Sequence, residues 1–484
     1  MAAYPLLLLA VALLYVTKKR REYAHQRLLA QSDALDAQLT TVGVFHPYAN
    51  GGGGGERVLY CAIAALVKRF RQQHGGPKRA LRVLLYSGDD GLGAQELLAR
   101  AAERFNLPEL LTLKVDTVVK LVPLASRHLL EPERYPRFTL FWQSVAHVRL
   151  ALEAFRTGEK MGLYPDVFLD TTGCPFAYLV AKAMYACHVV AYVHYPMIST
   201  DMISKVQQRT ADFNNTNAVA QSASRSTAKY IYYRLFAGAY SLLGRTCTDV
   251  VMVNSTWTYN HIKALWGGAP TIVYPPCGSM DEFKSLSLTE REPIALSVSQ
   301  FRPEKNQQLQ LQAMAVLLTK HAAEVQRLAP GLKLVLLGSC RNADDEARVA
   351  LLKEQCADLG LSARVEFVVN ASFATLKEYL AKSSIGLHTM YNEHFGISVV
   401  EMMAAGMATI ANNSGGPAAD IVKPGTGYLA LTADEYAAQM LAVLESDASE
   451  LVALRERARA ASQRFSDAEF ETQFVEALRD TLRH

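Results

Sequence analysis

The chain has 484 residues, 50% of them hydrophobic and 20% charged. That is a globular composition, long enough for two or three domains, and it excludes a largely disordered chain. The net charge of +4 sits at the N-terminus: in residues 1–30, Lys18, Lys19, Arg20, Arg21 and Arg27 face one acid, Glu22, so the rest balances to zero. A body without a basic excess of its own argues against nucleic acid as a partner.

Met1 to Val16 carries no charged side chain, and Lys18-Lys19-Arg20-Arg21 follows it. Sixteen helical residues reach about 24 Å at about 1.5 Å each, slightly short of a ~30 Å hydrocarbon core. The charges follow the apolar run, whereas a cleaved signal peptide carries them before it. Residues 1–21 are therefore expected to form a membrane-anchor helix with a basic flank. A helix lying in the interface is the main rival. The positive-inside rule then puts everything after Arg21 in the cytosol. A polar stem is expected over 22–39. Cys61, Cys174, Cys187, Cys247, Cys277, Cys340 and Cys356 are odd in number, widely spaced and without a C-x-x-C pair. They read as reduced structural thiols in a cytosolic compartment.

A strand is expected at Thr40–Phe45, then the five-glycine run Gly51–Gly55, then an amphipathic helix over Glu56–Phe70. Further strands are expected at Leu81–Tyr86, Val167–Asp170, Val189–Val193, Val250–Asn254 and Thr271–Tyr274. The segment Lys229–Arg245 fits an interfacial helix and a partly buried core helix equally well. Pro275, Pro276 and Gly278 open a break that ends at Pro293, and a hinge is placed over 276–293. A second series follows at Ile294–Val298, Lys333–Leu337, Val365–Phe367, Ile385–His388 and Ala408–Ala411. Such alternation predicts an α/β chain with two doubly wound parallel-sheet domains facing across a cleft, 40–275 and 294–465. A C-terminal helix is placed over 466–484. In such sheets ligands bind beyond the carboxyl ends of the strands.

Three strand ends carry candidate chemistry. The loop Gly51–Gly55 follows a strand and opens a helix, so the amides around Gly52, Gly53 and Gly54 can face an anion; a flexible turn is the alternative. It is no Walker loop, because no Lys-Ser/Thr follows, and no dinucleotide fingerprint, because Glu56 stands at the third glycine. Arg302 and Lys305, in Gln300-Phe301-Arg302-Pro303-Glu304-Lys305-Asn306, lie just past a strand and could neutralise a leaving diphosphate. Alone they read equally as solvated surface charges. The segment Tyr391–Glu401 holds Glu393, Phe395, Gly396 and Ile397; on a continuous helix Glu393 and Glu401 would lie about two turns apart on one side. Glu401 sits in the apolar run Ile397–Ala405, where a buried carboxylate needs a partner such as a ribose diol. Gly415-Gly416 marks another turn at a strand end, a candidate acceptor or phosphate loop. There is no Asp-x-Asp in the chain, and no metal site is expected.

These segments resemble the retaining GT-B glycosyltransferases of the large family that includes bacterial mannosyltransferases and sucrose synthases. The likeness covers about residues 40–465. It implies that Lys305 binds the donor diphosphate and Glu401 the nucleotide ribose. It also implies that Glu393 and the amides of Phe395–Ile397 contact donor sugar and phosphate, and that His194 lines the donor-sugar pocket. Where that family usually has Gly-Arg, this chain has Ser299-Gln300, and Arg302, on the same face of a continued strand, is expected to stand in. The segments His46-Pro47-Tyr48, Tyr192-Val193-His194-Tyr195-Pro196, Gln300–Asn306 and His388–Gly396 are similar to a eukaryotic family, the GDP-mannose-dependent α-1,2-mannosyltransferases that extend the dolichol-linked N-glycan precursor. This implies GDP-mannose as donor, a lipid-linked oligosaccharide as acceptor and addition of the fourth and fifth mannoses. It further implies the cytosolic face of the endoplasmic reticulum membrane, metal-independent transfer and association with other early glycosylation enzymes. The rivals are a tethered GT-B transferase for a different nucleotide sugar, an inactive scaffold on the same fold, and a nucleotide-sugar epimerase. Two-carboxylate glycosidase chemistry at Glu393 and Glu401 fits less well, because Glu401 lies in an apolar helix.

Overall fold

The computed structural model describes residues 3–32 (side chains 14–29), 39–71, 80–89, 91–115, 117–210, 219, 221–278 and 280–482. It divides into two units. The first comprises the chain to Asn254, Thr258–Tyr274 and the residues from Phe470 on; the second comprises Ser255–Trp257 and Pro275–Glu469. The segment expected as a hinge, 276–293, is thus counted within the second unit, and the C-terminal helix Asp467–Ala477 ends in the first.

The first unit is built on seven parallel strands: β1 (Leu39–Phe45), β2 (Ala80–Ser87), β3 (Val119–Pro123), β4 (Val167–Asp170), β5 (His188–Val193), β6 (Val250–Val253) and β7 (Thr271–Ile272). Their order is β3-β2-β1-β4-β5-β6-β7. Registers pair Val42 with Val83 on one side and with Val167 on the other. Central strands such as β4, Val-Phe-Leu-Asp, are buried at every position, as expected where helices cover both faces of a sheet. Two apolar cores follow, one around Phe155, Phe168 and Tyr185, the other around Leu59, Val83 and Tyr192. Phe470, Phe474, Leu478 and Leu482 belong to the second core.

The second unit has six parallel strands: β8 (Glu292–Val298), β9 (Lys333–Gly338), β10 (Val365–Val369), β11 (Ser383–Leu387), β12 (Ala408–Asn412) and β13 (Tyr428–Ala430). The order is β10-β9-β8-β11-β12-β13. The strands expected from sequence are all present; β3 and β13 are additional, and both are edge strands. In both sheets the order reverses beside the first strand, between β1 and β4 and between β8 and β11.

Residues 22–32, expected as part of a polar stem, are the C-terminal third of one helix, Ala3–Ser32. Tyr23 is 1% exposed and meets Phe155, Tyr164 and Tyr185 edge-on, with centroids at 6.2, 5.3 and 4.8 Å. Lys19 pairs with Glu159 at 2.8 Å and Arg27 with Asp166 at 3.7 Å. Lys19 of the basic flank and, beyond it, Arg27 thus meet specific acids of the first unit, while Lys18, Arg20 and Arg21 are exposed. Among the described residues no helix is long and apolar enough to cross a membrane. The remainder of the expected stem, 33–38, lies outside the described residues.

The segment Lys229–Arg245 belongs to the helix Ala223–Cys247, which buries Tyr233, Phe236, Tyr240 and Gly244 in the first core. A Cβ at Gly244 would run into the Trp266 indole, so the helix can pack this closely only with glycine there. All seven cysteines are free thiols, and only Cys340 is not buried.

Candidate functional site

In doubly wound sheets the crevice beyond the strand ends opens where the strand order reverses. Each unit gathers polar side chains at that point.

In the second unit the chain leaving β8 makes the short helical turn Pro303–Lys305, and the chain leaving β11 carries His388, Thr389 and Glu393. Lys305 Nζ donates to Glu393 Oε2 at 2.5 Å, and His388 Nε2 lies 3.3 Å from the same oxygen. Burial alone would raise the Glu393 carboxyl; the Lys305 ammonium and His388 outweigh it and hold the group well below the usual carboxylate range. Thr389 ties the two strand ends together: its hydroxyl lies 3.0 and 3.1 Å from the Lys305 and Asn306 carbonyls. Gln310 Nε2 donates to Thr389 Oγ1 at 2.8 Å and to Ser297 Oγ at 2.9 Å. A diphosphate that takes Lys305 must compete with Glu393 for it.

Glu393 does not share a helix with Glu401. Gly396, at φ +113, starts the helix Ile397–Ala404, so Glu393 lies in the loop before it. Glu401 is half-buried, one turn from that helix's end, among buried Val400, Met402 and Met403. Phe395 is buried edge-on against Phe465 at 5.2 Å. That ring contact fixes its side chain.

Gly415 and Gly416 serve the same loop. Gly415 has φ +60, and a Cβ at either glycine would collide with the backbone between Asn392 and Phe395. The Gly416 amide donates to the Glu393 carbonyl at 2.7 Å and the Asn392 amide to Ser414 Oγ at 2.7 Å. The Gly416 amide is thus engaged by the Glu393 carbonyl, and the two glycines shape the turn that lies against this loop. Arg302 pairs with Glu304 at 2.5 Å instead of joining Lys305 on Glu393. The expectation that it supplies the second diphosphate cation therefore requires that pair to open.

In the first unit the loop after β1 meets the end of β4. His46 Nδ1 and Thr171 Oγ1 are 2.5 Å apart, and His46 Nε2 is 3.6 Å from Glu56 Oε1. Glu56 Oε2 accepts the Gly53 amide at 2.6 Å, the carboxylate half of a capping box on the helix Gly54–Arg71. Burial opposes ionisation of Glu56, but the His46 contacts and the Gly53 amide still lower its pKa. His194 is part of the group: a Cβ on Gly55 would lie 3.7 Å from His194 Nε2 and 4.0 Å from His46 Cε1. This changes the expectation for Gly52, Gly53 and Gly54. The Gly53 amide is already capped by a carboxylate, which repels an anion. Gly52, at φ +77, is backed by the Arg104 side chain, and Gly54 is the first helical residue.

Sequence reasoning gave His46 and His388 only as parts of similar segments and missed the roles of Glu56 and Thr171. It also missed Asp170, buried at the end of β4, whose carboxylate accepts from Thr172, Gly173, Cys174 and the Tyr178 hydroxyl. That carboxylate holds the turn after β4 in place. The only available signal was position, an acid closing an apolar strand. Among the described residues no group of three or more His, Cys, Asp or Glu is placed to hold a metal ion.

Two parallel-sheet units, each with polar side chains at its switch point, have the architecture of GT-B glycosyltransferases. The fold matches HepE of Anabaena, solved in complex with UDP-glucose, with a TM-score of 0.60 at 17% identity over 91% of this chain and 99% of that one. It matches sucrose-phosphate synthase from Thermosynechococcus elongatus at 0.61 and 17%, over 92% and 99%. Residues 39–266 match the family described as ALG11 mannosyltransferase N-terminus, and residues 279–463 match Glycosyl transferases group 1. The chain is 46% identical over 453 residues to the GDP-Man:Man(3)GlcNAc(2)-PP-Dol alpha-1,2-mannosyltransferase of Mus musculus, covering 92% of this chain and 87% of the relative. To the Homo sapiens protein of the same name it is 45% identical, covering 90% and 86%. The chain belongs to this family of mannosyltransferases.

Proposed function

We propose that this chain transfers mannose from GDP-mannose, in α-1,2 linkage and with retention of configuration, onto the dolichol-diphosphate-linked N-glycan precursor. The observation that carries the reading is the Lys305–Glu393–His388 cluster at the β8/β11 switch point, in a chain so similar to proteins bearing that name. As the mannose C1–oxygen bond to the diphosphate breaks, negative charge grows on the leaving phosphate. A half-buried ammonium such as Lys305 stabilises that charge best when its surroundings are already organised. Thr389 and Gln310 supply that organisation for Lys305. The acceptor hydroxyl forms its bond to C1 on the face the phosphate leaves, and the phosphate takes the proton, so no protein base is required. Glu401 holds the ribose. The first unit's neutral and anionic groups, His194, His46 and Glu56, suit sugar hydroxyls better than phosphate.

The test is to incubate the purified chain with radiolabelled GDP-mannose and a trimannosyl-chitobiosyl-diphosphate lipid. The expected product carries two further mannoses, the fourth and fifth, both released by α-1,2-mannosidase. Label entering lipid from a UDP-sugar instead, or none from GDP-mannose with folded protein, overturns the reading. No observation favours an inactive scaffold.

The same reading places the enzyme on the cytosolic face of the endoplasmic reticulum, tethered through residues 1–21, where other early glycosylation enzymes are its natural neighbours. In sealed microsomes protease should digest the body from about residue 22 on without detergent; protection until detergent is added reverses the orientation. Four acceptor sequons begin at Asn214, Asn254, Asn370 and Asn412. Asn254 and Asn412 are buried and Asn370 is exposed, while Asn214 lies outside the described residues. Asn370 is therefore the informative reporter: it should carry no glycan if the body is cytosolic.

A further inference from the structure

The loop that carries Glu393 is held from two sides. On one side the Gly416 amide donates to the Glu393 carbonyl at 2.7 Å. The turn Pro417–Ile421 follows, and it lies against the end of the loop: a Cβ on Gly396 would stand 3.2 Å from Pro417 Cγ and 3.4 Å from Ile421 Cδ1. On the other side is a segment distant in sequence, Ser255–Trp257, which is counted with the second unit although the chain before and after it belongs to the first. The Trp257 indole stacks on the His394 imidazole, with ring centroids 5.2 Å apart and planes 29° from parallel. His394 stands between Glu393 and Phe395 in the chain.

Asp420, on that same turn and 2% exposed, fixes the segment. Its Oδ2 accepts the Thr256 amide at 2.8 Å and its Oδ1 accepts the Thr256 hydroxyl at 2.6 Å. Thr256 opens the helix Thr256–Trp266, so its amide has no acceptor within the helix, and a carboxylate there also meets the positive end of the helix dipole. Releasing Thr256 would strip two hydrogen bonds from a buried carboxylate, which is costly. The indole next to it is therefore presented from a fixed backbone. The contacts close a circuit: Glu393 to Gly416, along the turn to Asp420, across to Thr256 and Trp257, and through His394 back to Glu393. His394 also shapes the field at the carboxylate. Burial raises the Glu393 carboxyl, and Lys305, His388 and then His394 pull it down.

We propose that Trp257 is a positioning residue for the transfer: acting through His394, its ring holds the 391–396 loop, and with it the Glu393 carboxylate, where the donor sugar needs it. The inference rests on the reading that Glu393 and the amides after it face the donor. A carboxylate in a loop drifts when a neighbour lets go, and misplacement by an ångström costs up to about 100-fold in rate. A ring from outside the loop limits that drift without binding the nucleotide. Its loss should therefore appear in turnover and not in nucleotide affinity.

The test compares the full chain with Trp257→Leu and Trp257→Phe. In Trp257→Leu, kcat for mannosyl transfer should fall about 10- to 100-fold, with the Kd for GDP unchanged. Trp257→Phe keeps a ring on His394 and should restore most of the rate. His394→Ala should reproduce the loss, and the double variant with Trp257→Leu should lose no more than the worse single one, as expected of residues that act through each other. Hydrogen exchange read by mass spectrometry supplies an arm independent of transfer. In Trp257→Leu the peptide covering 391–396 should exchange faster, while β9 and the strands of the first unit keep their protection. Unchanged exchange in that loop overturns the proposal; so does an unchanged kcat in Trp257→Leu, or additive losses in the double variant. Loss of GDP binding together with protection throughout the chain also overturns it, and marks Trp257 as packing only. If wild type transfers no mannose yet the loop loosens in Trp257→Leu, the functional reading fails and the hold on the loop stands.

Discussion

The two switch points are built alike and differ in the partner of one carboxylate. In the first unit Glu56, beside β1 and β4, meets a histidine and a backbone amide. In the second unit Glu393, beside β8 and β11, meets a lysine and a histidine. Both carboxyls are pulled below their ordinary range against burial. The lysine makes the second site one that a diphosphate can enter by exchanging one anion for another. In the first, Glu56 meets no lysine or arginine; the cation at the glycine loop, Arg104, lies against Gly52 and donates to the Asn50 carbonyl, and His46 and Glu56 present groups fit for hydroxyls. On the proposed reading, the same topology would serve a phosphate in one unit and sugar hydroxyls in the other through the choice of one neighbour.

The sharpest way to break this comparison is to remove the cation. Lys305→Ala should lower kcat/KM by about 10²–10³, corresponding to roughly 3–4 kcal/mol of lost charge stabilisation. It also leaves a half-buried carboxylate with His388 as its one remaining charged neighbour in the cluster, which should lower thermal stability. Adding Glu393→Gln should restore most of the thermal stability and none of the activity. If Lys305→Ala turns over at a near-normal rate, the diphosphate end is misassigned.

Glu401→Ala should act on binding alone. KM for GDP-mannose is expected to rise about tenfold, about 1.4 kcal/mol, with kcat little changed. A fall in kcat at unchanged KM would place Glu401 at the reacting centre instead of the ribose.

A smaller effect distinguishes the first unit. Glu56→Ala should cost about 1 kcal/mol through loss of the helix cap. Because the folded pKa of Glu56 is below its ordinary 4.5, its charge contributes stability above that value, and the contribution is lost as pH falls through the folded pKa. Glu56→Gln should therefore flatten the stability curve below pH 4.5, measured by urea unfolding at a series of pH values. An unchanged acid limb would mean that the His46 pair contributes nothing.

The smallest expected effect is none. With Lys305 supplying the positive charge, excess EDTA should leave the transfer rate unchanged. Loss of activity restored by Mn²⁺ or Mg²⁺ would show that the lysine is not the charge the diphosphate leaves against.

Local pattern carries far in this chain, and its limits are physical. Central strands such as β4 and β12 read as uninterrupted apolar runs because helices cover both faces, and glycine, proline and polar turns punctuate them. The edge strands β3, Val-Lys-Leu-Val-Pro, and β13, Tyr-Leu-Ala, lack such a run: each has one covered side and little length, so nothing in their residues distinguishes them from loops. The Pro-Glu-Lys turn and the Glu-x-Phe-Gly segment were visible as strand-end motifs, and Gly396 as a place where a ligand could approach the backbone closely; its left-handed backbone came from the structure.

What the sequence determined by itself was therefore the two-sheet plan and the residues at the strand ends, because burial and turn geometry act over a few neighbouring residues. Only the tertiary structure decided which of those ends meet. Lys305 and Glu393 are 88 residues apart and His46 and Thr171 are 125 apart; each pair is joined by the strand order β8-β11 or β1-β4, which no local periodicity encodes. The same holds for Glu56 turned back onto Gly53, Arg302 turned to Glu304 and Tyr23 seated between three rings. A side chain's partner is chosen by what burial leaves within reach, and that is a property of the packed chain.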